Sequence, residues 1–366
     1  MKKHKILLVA GARPNFIKIA PLLSAFKKIK QLDVKLVHTG QHYDFKMSDV
    51  FFQDLKIPAP DIYLGAKSGS HAFQTADVLT AFEKVLLSEK PSLVLVVGDV
   101  NSTIACTLAA AKLGIRVAHV EAGLRSFDRR MPEEINRIVT DRLADYLFVT
   151  EVSGVRNLKK EGIDSKKVFL VGNVMIDTLL ANLPAIQKSR ALEKHGLRRR
   201  EYAVLTLHRP SNVDSKASLL KIAGILEKIS KQTPLVFPIH PRTLSQIRRF
   251  GLQKRFQGMK NLRQIEPLGY IDFIRLVQDS LFVLTDSGGI QEEAVILRVP
   301  CLTMRENTER PATVDAGSNQ LVGQNEKKIL SAVRKIIKGK VPKVSVPRFW
   351  DGKTAIKIAR QICFVL

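Results

Sequence analysis

Cysteine is scarce: Cys106, Cys301 and Cys363 are the only three in 366 residues. They are odd in number, far apart, and free of any Cys-x-x-Cys or Cys/His ligand spacing. That argues against a disulfide framework and a structural metal site, and it implies buried, reduced thiols in a cytoplasmic setting. Long apolar runs are missing too. No window supplies the ~18 apolar residues that a spanning helix needs, so no membrane span is expected. The opening Met1-Lys2-Lys3-His4-Lys5 and the aliphatic run 6–10 imitate a signal peptide, but Arg13 and Pro14 cut the run short and it reads as a first β-strand. Long Pro, Gly or Ser tracts are absent, which leaves a folded chain with 45% hydrophobic and 25% charged residues.

Acidic residues are also in deficit, 34 against 59 lysines and arginines, for a formal charge of +25. Such an excess suits nucleic acid, an anionic membrane surface or a phosphorylated substrate. The cations spread along presumed helix faces (Lys27, Lys28 and Lys30; Lys159 and Lys160; Lys327, Lys328, Arg334, Lys335 and Lys338), with few aromatics between them to stack bases. A solvated surface is expected, and no nucleic-acid partner.

The chain exceeds what one core usually fills, so two domains are expected. Short aliphatic runs alternate with amphipathic stretches, the pattern of parallel sheets covered by helices. Strands are expected at 6–10, 34–38, 93–97, 117–120 and 146–149, and the same grammar restarts at 203–207, 235–238, 262–265, 282–285 and 301–303. A helical segment near 174–187 and the charged stretch 194–201 place the junction near 172–200. The domains are therefore predicted as 1–172 with the terminal helix 353–366, and 173–352: an α/β chain of two Rossmann-like domains facing a cleft.

In open α/β sheets ligands collect at the carboxyl ends of strands. After the first strand, Gly11-Ala12-Arg13-Pro14-Asn15-Phe16-Ile17-Lys18 puts Arg13 and Lys18 at a helix start, unfavourable to the dipole unless an anion binds there. The runs 93–97 and 117–120 end in Asp99 and Glu121, and Met131-Pro132-Glu133-Glu134-Ile135-Asn136-Arg137 opens a helix. Three acids, Asp99, Glu121 and Glu133, thus suit one cleft. Against this, Asp99 or Asn101 could cap a helix, and Glu133 with Arg137 could form an i,i+4 pair worth only about 0.3–0.5 kcal/mol.

In the second half, His208 follows a strand as a candidate general acid or phosphate donor, and His240 has the same placement. Thr285-Asp286-Ser287-Gly288-Gly289-Ile290-Gln291-Glu292-Glu293 reads as strand, small-residue turn, then helix, with backbone N–H groups free for a diphosphate and Glu293 placed for ribose hydroxyls. Arg310 is a further candidate for the phosphates or sugar.

These strings, in this order, resemble the non-hydrolysing UDP-N-acetylglucosamine 2-epimerases from about residue 6 to 322. The resemblance implies a glycosyltransferase-B-like architecture with the terminal helix packed back on the first domain, a UDP-sugar substrate, a homodimer, and no cofactor. It further implies reversible inversion at C2 by anti elimination of UDP to 2-acetamidoglucal and re-addition, as a step in polysaccharide biosynthesis. By it, Asp99, Glu121 and Glu133 are the acids and bases, and His208 assists the diphosphate. Arg13 and Glu293 become nucleotide contacts, Ser287, Gly288 and Gly289 phosphate contacts, and Lys18, Arg137 and Arg310 further active-site cations. The chain departs from many members at Asn15, where Glu is common, and at Pro210-Ser211. The strings 38–44 and 47–52 also resemble epimerases of diacetamido uronic acid nucleotides. A glycosyltransferase would share the fold but has no need of three clustered acids.

Overall fold

The computed structural model describes residues 3–40, 52–67 and 69–366, the side chain of Arg13 excepted. Two compact units emerge: residues 1–181 with 347–366, and residues 182–346.

The first unit carries a seven-stranded sheet in the order β3-β2-β1-β4-β5-β6-β7. Its strands are β1 (His4–Ala10), β2 (Leu32–His38), β3 (Ile62–Tyr63), β4 (Leu93–Val97), β5 (Arg116–Ala122), β6 (Tyr146–Val149) and β7 (Val168–Leu170). All neighbours pair in parallel. β4 is buried along its whole length, as a parallel strand covered on both faces must be. The helices that concern the site are α1 (Arg13–Phe26), α2 (His71–Glu89), α3 (Asn101–Lys112) and α4 (Pro132–Leu143).

The second unit repeats the plan with six parallel strands in the order β10-β9-β8-β11-β12-β13. They are β8 (Ala203–Thr206), β9 (Leu235–Pro238), β10 (Leu262–Ile265), β11 (Val283–Thr285), β12 (Cys301–Thr303) and β13 (Asn319–Leu321). Helix α5 (Val174–Lys188) carries the chain over from the first unit, and α6 (Pro241–Arg249) and α7 (Gly288–Leu297) follow β9 and β11. In both sheets the order turns back on itself beside the first strand of the unit, the switch point at which α/β sheets hold ligands.

The last helix, α8 (Thr354–Val365), packs on α1. Asp177 on α5 accepts from the N–H groups of Thr354 (3.1 Å) and Ala355 (2.7 Å), satisfying two orphan donors at the start of α8. Upstream, the buried indole of Trp350 donates to the Thr150 carbonyl at 3.3 Å. The junction between the units falls inside α5, at Ala181 and Asn182.

Three strands escape the sequence pattern, β3, β7 and β13, each of two or three residues with at most one buried side chain. Among the described residues no helix is long and apolar enough to cross a membrane. The lysines and arginines at 27, 28, 30, 159, 160, 327, 328, 334, 335 and 338 are exposed.

Candidate active site

In the first unit, β4 runs into Gly98, whose φ of +67° is left-handed and whose missing Cβ would lie 2.8 Å from Lys18 Nζ. The lysine needs that space. Lys18, one turn into α1, reaches Glu121 at 2.5 Å, with both side chains almost fully buried. Glu121 sits at a bulge between Val120 and Ala122 and has φ +77°. A glutamate in this region costs on the order of 1–2 kcal/mol and persists only where its surroundings hold it. Bulge and ion pair together aim the carboxylate away from the regular strand direction.

Asp99, the next residue after Gly98, is one-fifth exposed and takes two bonds from Arg137, Nη2 at 2.7 Å and Nε at 3.1 Å. The same guanidinium bonds Glu134 at 2.7 Å. Glu134 in turn accepts from Ser126 N and Oγ, both at 2.8 Å, and from Phe127 N at 3.0 Å. Asp99 and Glu121 are thus each matched to a cation at the ends of two hydrogen-bonded neighbour strands. Val100, without a side-chain bond, is the N-cap of α3, so neither Asp99 nor Asn101 caps it. Glu133 lies half-buried in the first turn of α4. Arg13 opens α1, with its side chain outside the described residues.

In the second unit, Asp286 directly follows β11 and has no exposed surface. It accepts from the N–H groups of His208 (3.0 Å) and Arg209 (2.9 Å) and from Asn212 Nδ2 (3.0 Å), and it pairs with His208 Nδ1 at 2.9 Å. Burial opposes its ionisation, but the His208 imidazole and these donors outweigh that and bring its pKa to about 2. His208 is thereby held by one ring nitrogen at the end of β8. The His240 ring stands 5.5 Å away, and its Nδ1 accepts from Arg242 N at 3.1 Å as the N-cap of α6. That gives His240 a local structural task which His208 lacks.

Ser287 is the N-cap of α7 without a side-chain bond, so the first N–H groups of the helix lack an intrahelical acceptor. A Cβ on Gly288 would lie 2.6 Å from Arg310 Nη1 and 2.8 Å from Glu309 Oε1. Arg310 is buried and bonded to Glu292 (3.0 Å) and Glu309, and Glu309 also pairs with Arg305 at 2.6 Å. Glu293 is buried, with its Oε1 unpartnered. Burial pushes its pKa up to about 8, against the Tyr270 hydroxyl that favours the charge and together with Glu292 that opposes it. Among the described residues no group of three or more His, Cys, Asp and Glu side chains is arranged to hold a metal ion.

The structure thus joins Lys18 to Glu121 and Asp99 to Arg137 in the first unit. In the second it places Ser287, Gly288, Gly289 and Arg310 at the start of α7 and Glu293 further along that helix, with His208 anchored to the residue that precedes this turn. Sequence reasoning missed Asp286, Asn212, Glu134, Asp141 and the task of Asn15. Asn15 accepts from Gly11 N (3.1 Å) and Ala12 N (2.9 Å) and donates to the Val97 carbonyl (3.1 Å), tying the β1 turn to the end of β4. The one available signal was an amide or carboxylate directly after or beside a strand end, which fits Asp286 and Asn15.

The profile described as UDP-N-acetylglucosamine 2-epimerase matches residues 24–363. A UDP-N-acetylglucosamine 2-epimerase of Methanocaldococcus jannaschii is 44% identical over 98% of this chain and 99% of its own. A UDP-2,3-diacetamido-2,3-dideoxy-D-glucuronate 2-epimerase of Pseudomonas aeruginosa is 42% identical, again over 98% and 99%. Among solved structures, the Methanocaldococcus jannaschii UDP-GlcNAc 2-epimerase in complex with UDP-GlcNAc and UDP superposes with a TM-score of 0.93 at 43% identity, covering 98% of this chain and 99% of that one. The two Rossmann-like units of the glycosyltransferase-B-like class and the full-length identity agree: the chain belongs to the UDP-N-acetylglucosamine 2-epimerase family.

Proposed function

We propose that this protein interconverts UDP-N-acetylglucosamine and UDP-N-acetylmannosamine, as a cytoplasmic homodimer serving polysaccharide biosynthesis. The observation that carries the reading is the pair of carboxylates, Asp99 and Glu121, each held by its own cation at neighbouring strand ends. A C2 proton is not acidic by itself, so its removal has to accompany loss of the C1 substituent. A carboxylate takes the C2 proton while the C1–O bond breaks, and UDP leaves with the electron pair to give 2-acetamidoglucal. UDP then re-adds through its oxygen at C1, and a proton is delivered to the other face of C2. Asp99, Glu121 and Glu133 hold and move these protons.

The departing diphosphate needs fixed donors that require no reorganisation. The first turn of α7, with Ser287, Gly288 and Gly289, supplies them, and Arg310 and His208 add to them. Arg13 and Glu293 contact the nucleotide. Lys18 and Arg137 keep the carboxylates in place.

Exposed Ile135 and Ile138 on α4 support the dimer, as does a largely apolar surface cavity of about 460 Å³ that includes His71, Leu79, Pro132 and Ile135. Sedimentation analysis at micromolar protein checks it. The three free thiols, two of them buried, suit a reducing compartment.

Proton NMR in deuterated water tests the chemistry. Deuterium at C2 of both epimers, with UDP still attached, is expected. Free N-acetylmannosamine would point to hydrolysis. The 42% identity to the Pseudomonas aeruginosa enzyme favours a second reading, in which the sugar is a diacetamido uronic acid. The same experiment on that nucleotide, showing exchange there and none with UDP-N-acetylglucosamine, would select it.

A further inference from the structure

Behind the two carboxylates lies a fully buried ring with no part in the chemistry so far. We propose that His119 is a positioning residue that ties the Gly98 carbonyl to Asp141 through its two ring nitrogens and so sets the spacing between Asp99 and Glu121. This rests on the function proposed above.

The partners fix the ring at both nitrogens. His119 Nε2 lies 2.8 Å from the Gly98 carbonyl oxygen, which can only accept, so Nε2 carries a hydrogen. Nδ1 lies 2.7 Å from Asp141 Oδ1. The other Asp141 oxygen accepts from Gly123 N at 3.0 Å and pairs with Arg125 at 2.7 Å. Burial resists the Asp141 charge, but His119 and Arg125 prevail and hold this carboxyl below its usual range. The ring is thus tied at both nitrogens, to the Gly98 carbonyl and to Asp141, while Glu161 pairs with Arg125 at 2.7 Å. A buried polar network of this kind holds its geometry only while every partner stays in place.

The clamp spans both reactive turns. Gly98 is held twice by β5, through its carbonyl to His119 and through its N–H to the Val120 carbonyl at 3.1 Å. Asp99 follows directly. On the other side, Asp141 holds the N–H of Gly123, itself left-handed at φ +78°, so Glu121 at φ +77° lies between two points fixed by one hydrogen-bonded pair. His119 touches neither Asp99 nor Glu121. It acts on them through the main chain, and an error near 1 Å in such a site costs on the order of 10²-fold in rate.

The test begins with full-length protein labelled with nitrogen-15 in histidine, the His119 ring signals being identified by their loss in His119→Gln. A hydrogen on Nε2, bonded to the Gly98 carbonyl, is expected, and a bare Nε2 would overturn the proposal. Next, C2 exchange in His119→Gln and Asp141→Asn is measured per UDP-binding site, so that partial misfolding does not lower the rate. A fall in kcat on the order of 10²-fold, with KM within about threefold, is expected for both. Wild-type kcat in either variant, or a fall that vanishes once active sites are counted, would overturn it. Should a variant fail to fold, the wild-type ring signals, then assigned by through-bond correlation to the His119 backbone, decide alone. No exchange by wild-type protein on any UDP-sugar would sink the proposed function instead, and the ring measurement tells the two failures apart.

Discussion

Replacing Asp286 by asparagine removes the acceptor around which the end of β11, the His208 turn and Asn212 are assembled. The depressed pKa, about 2 against an ordinary 3.8, corresponds to about 2.5 kcal/mol of stabilisation at neutral pH. A carboxyl with a lowered folded-state pKa gives its full stabilisation above the unfolded value near 4 and loses it as pH falls towards 2, with roughly half left at pH 3. Asparagine offers one acceptor oxygen to a site whose partners all donate, and it turns its own N–H groups towards them. At least one buried donor is left unsatisfied, at a cost of about 1–3 kcal/mol. The two estimates overlap, so Asp286→Asn is expected to destabilise the second unit by about 2–4 kcal/mol at pH 7 and by clearly less at pH 3. Urea unfolding followed by circular dichroism at both pH values measures it, with hydrogen exchange at the His208 and Arg209 amides assigning the loss to this unit. A change under about 0.5 kcal/mol at pH 7, or a difference identical at the two pH values, would refute the reasoning.

Glu293→Gln should act in the opposite sense. A buried carboxyl whose pKa is raised from 4.5 to about 8 costs stability increasingly as pH rises between those values, so the neutral glutamine should stabilise the second unit by up to a few kcal/mol at pH 8 and little at pH 5, while UDP binding weakens about tenfold. Urea unfolding and titration calorimetry check the two halves, and lower stability at pH 8 would contradict them. Lys18→Met strands the Glu121 carboxylate without its cation, so the first unit should lose about 3–5 kcal/mol and C2 exchange at least about 10²-fold. Exchange within tenfold of wild type would count against a role for this pair. Gly288→Ala drives a methyl group into Arg310 and Glu309, and UDP affinity measured by calorimetry should fall more than about tenfold, with the first unit's unfolding unchanged.

Much of this was legible in the sequence because parallel sheets write themselves plainly. The run Leu93–Val97 is apolar throughout, since both faces of β4 are covered. Strands without such a signature, β3 and β13 among them, are held by pairing with a neighbour and bury too little to leave a pattern. The string Thr285 to Glu293 announces an anion turn through its glycines, but nothing local reveals that Gly288 is small because Arg310 lies above it. Likewise Glu121 and Lys18 stand in different motifs, and only the left-handed backbone at Glu121 and the space beside Gly98 bring them together. His119 read as one letter of a strand. Its importance comes from Asp141 and Gly98, which are brought to it by tertiary packing. The strings 38–44 and 47–52, which bear on the sugar, fall largely outside the described residues.

The return of the chain to its first unit has a consequence for synthesis. Residues 347–366 complete a unit whose remainder ends at Ala181, and the whole of the second unit is encoded between them. On the ribosome, the later unit therefore has all its residues before the earlier one does. At roughly 5–20 residues per second, the first sheet waits on the order of ten seconds or more, with the face of α1 that receives α8 uncovered. Vectorial folding, which usually lets the amino-terminal domain finish first, is reversed here by one helix and the cap that Asp177 provides for it.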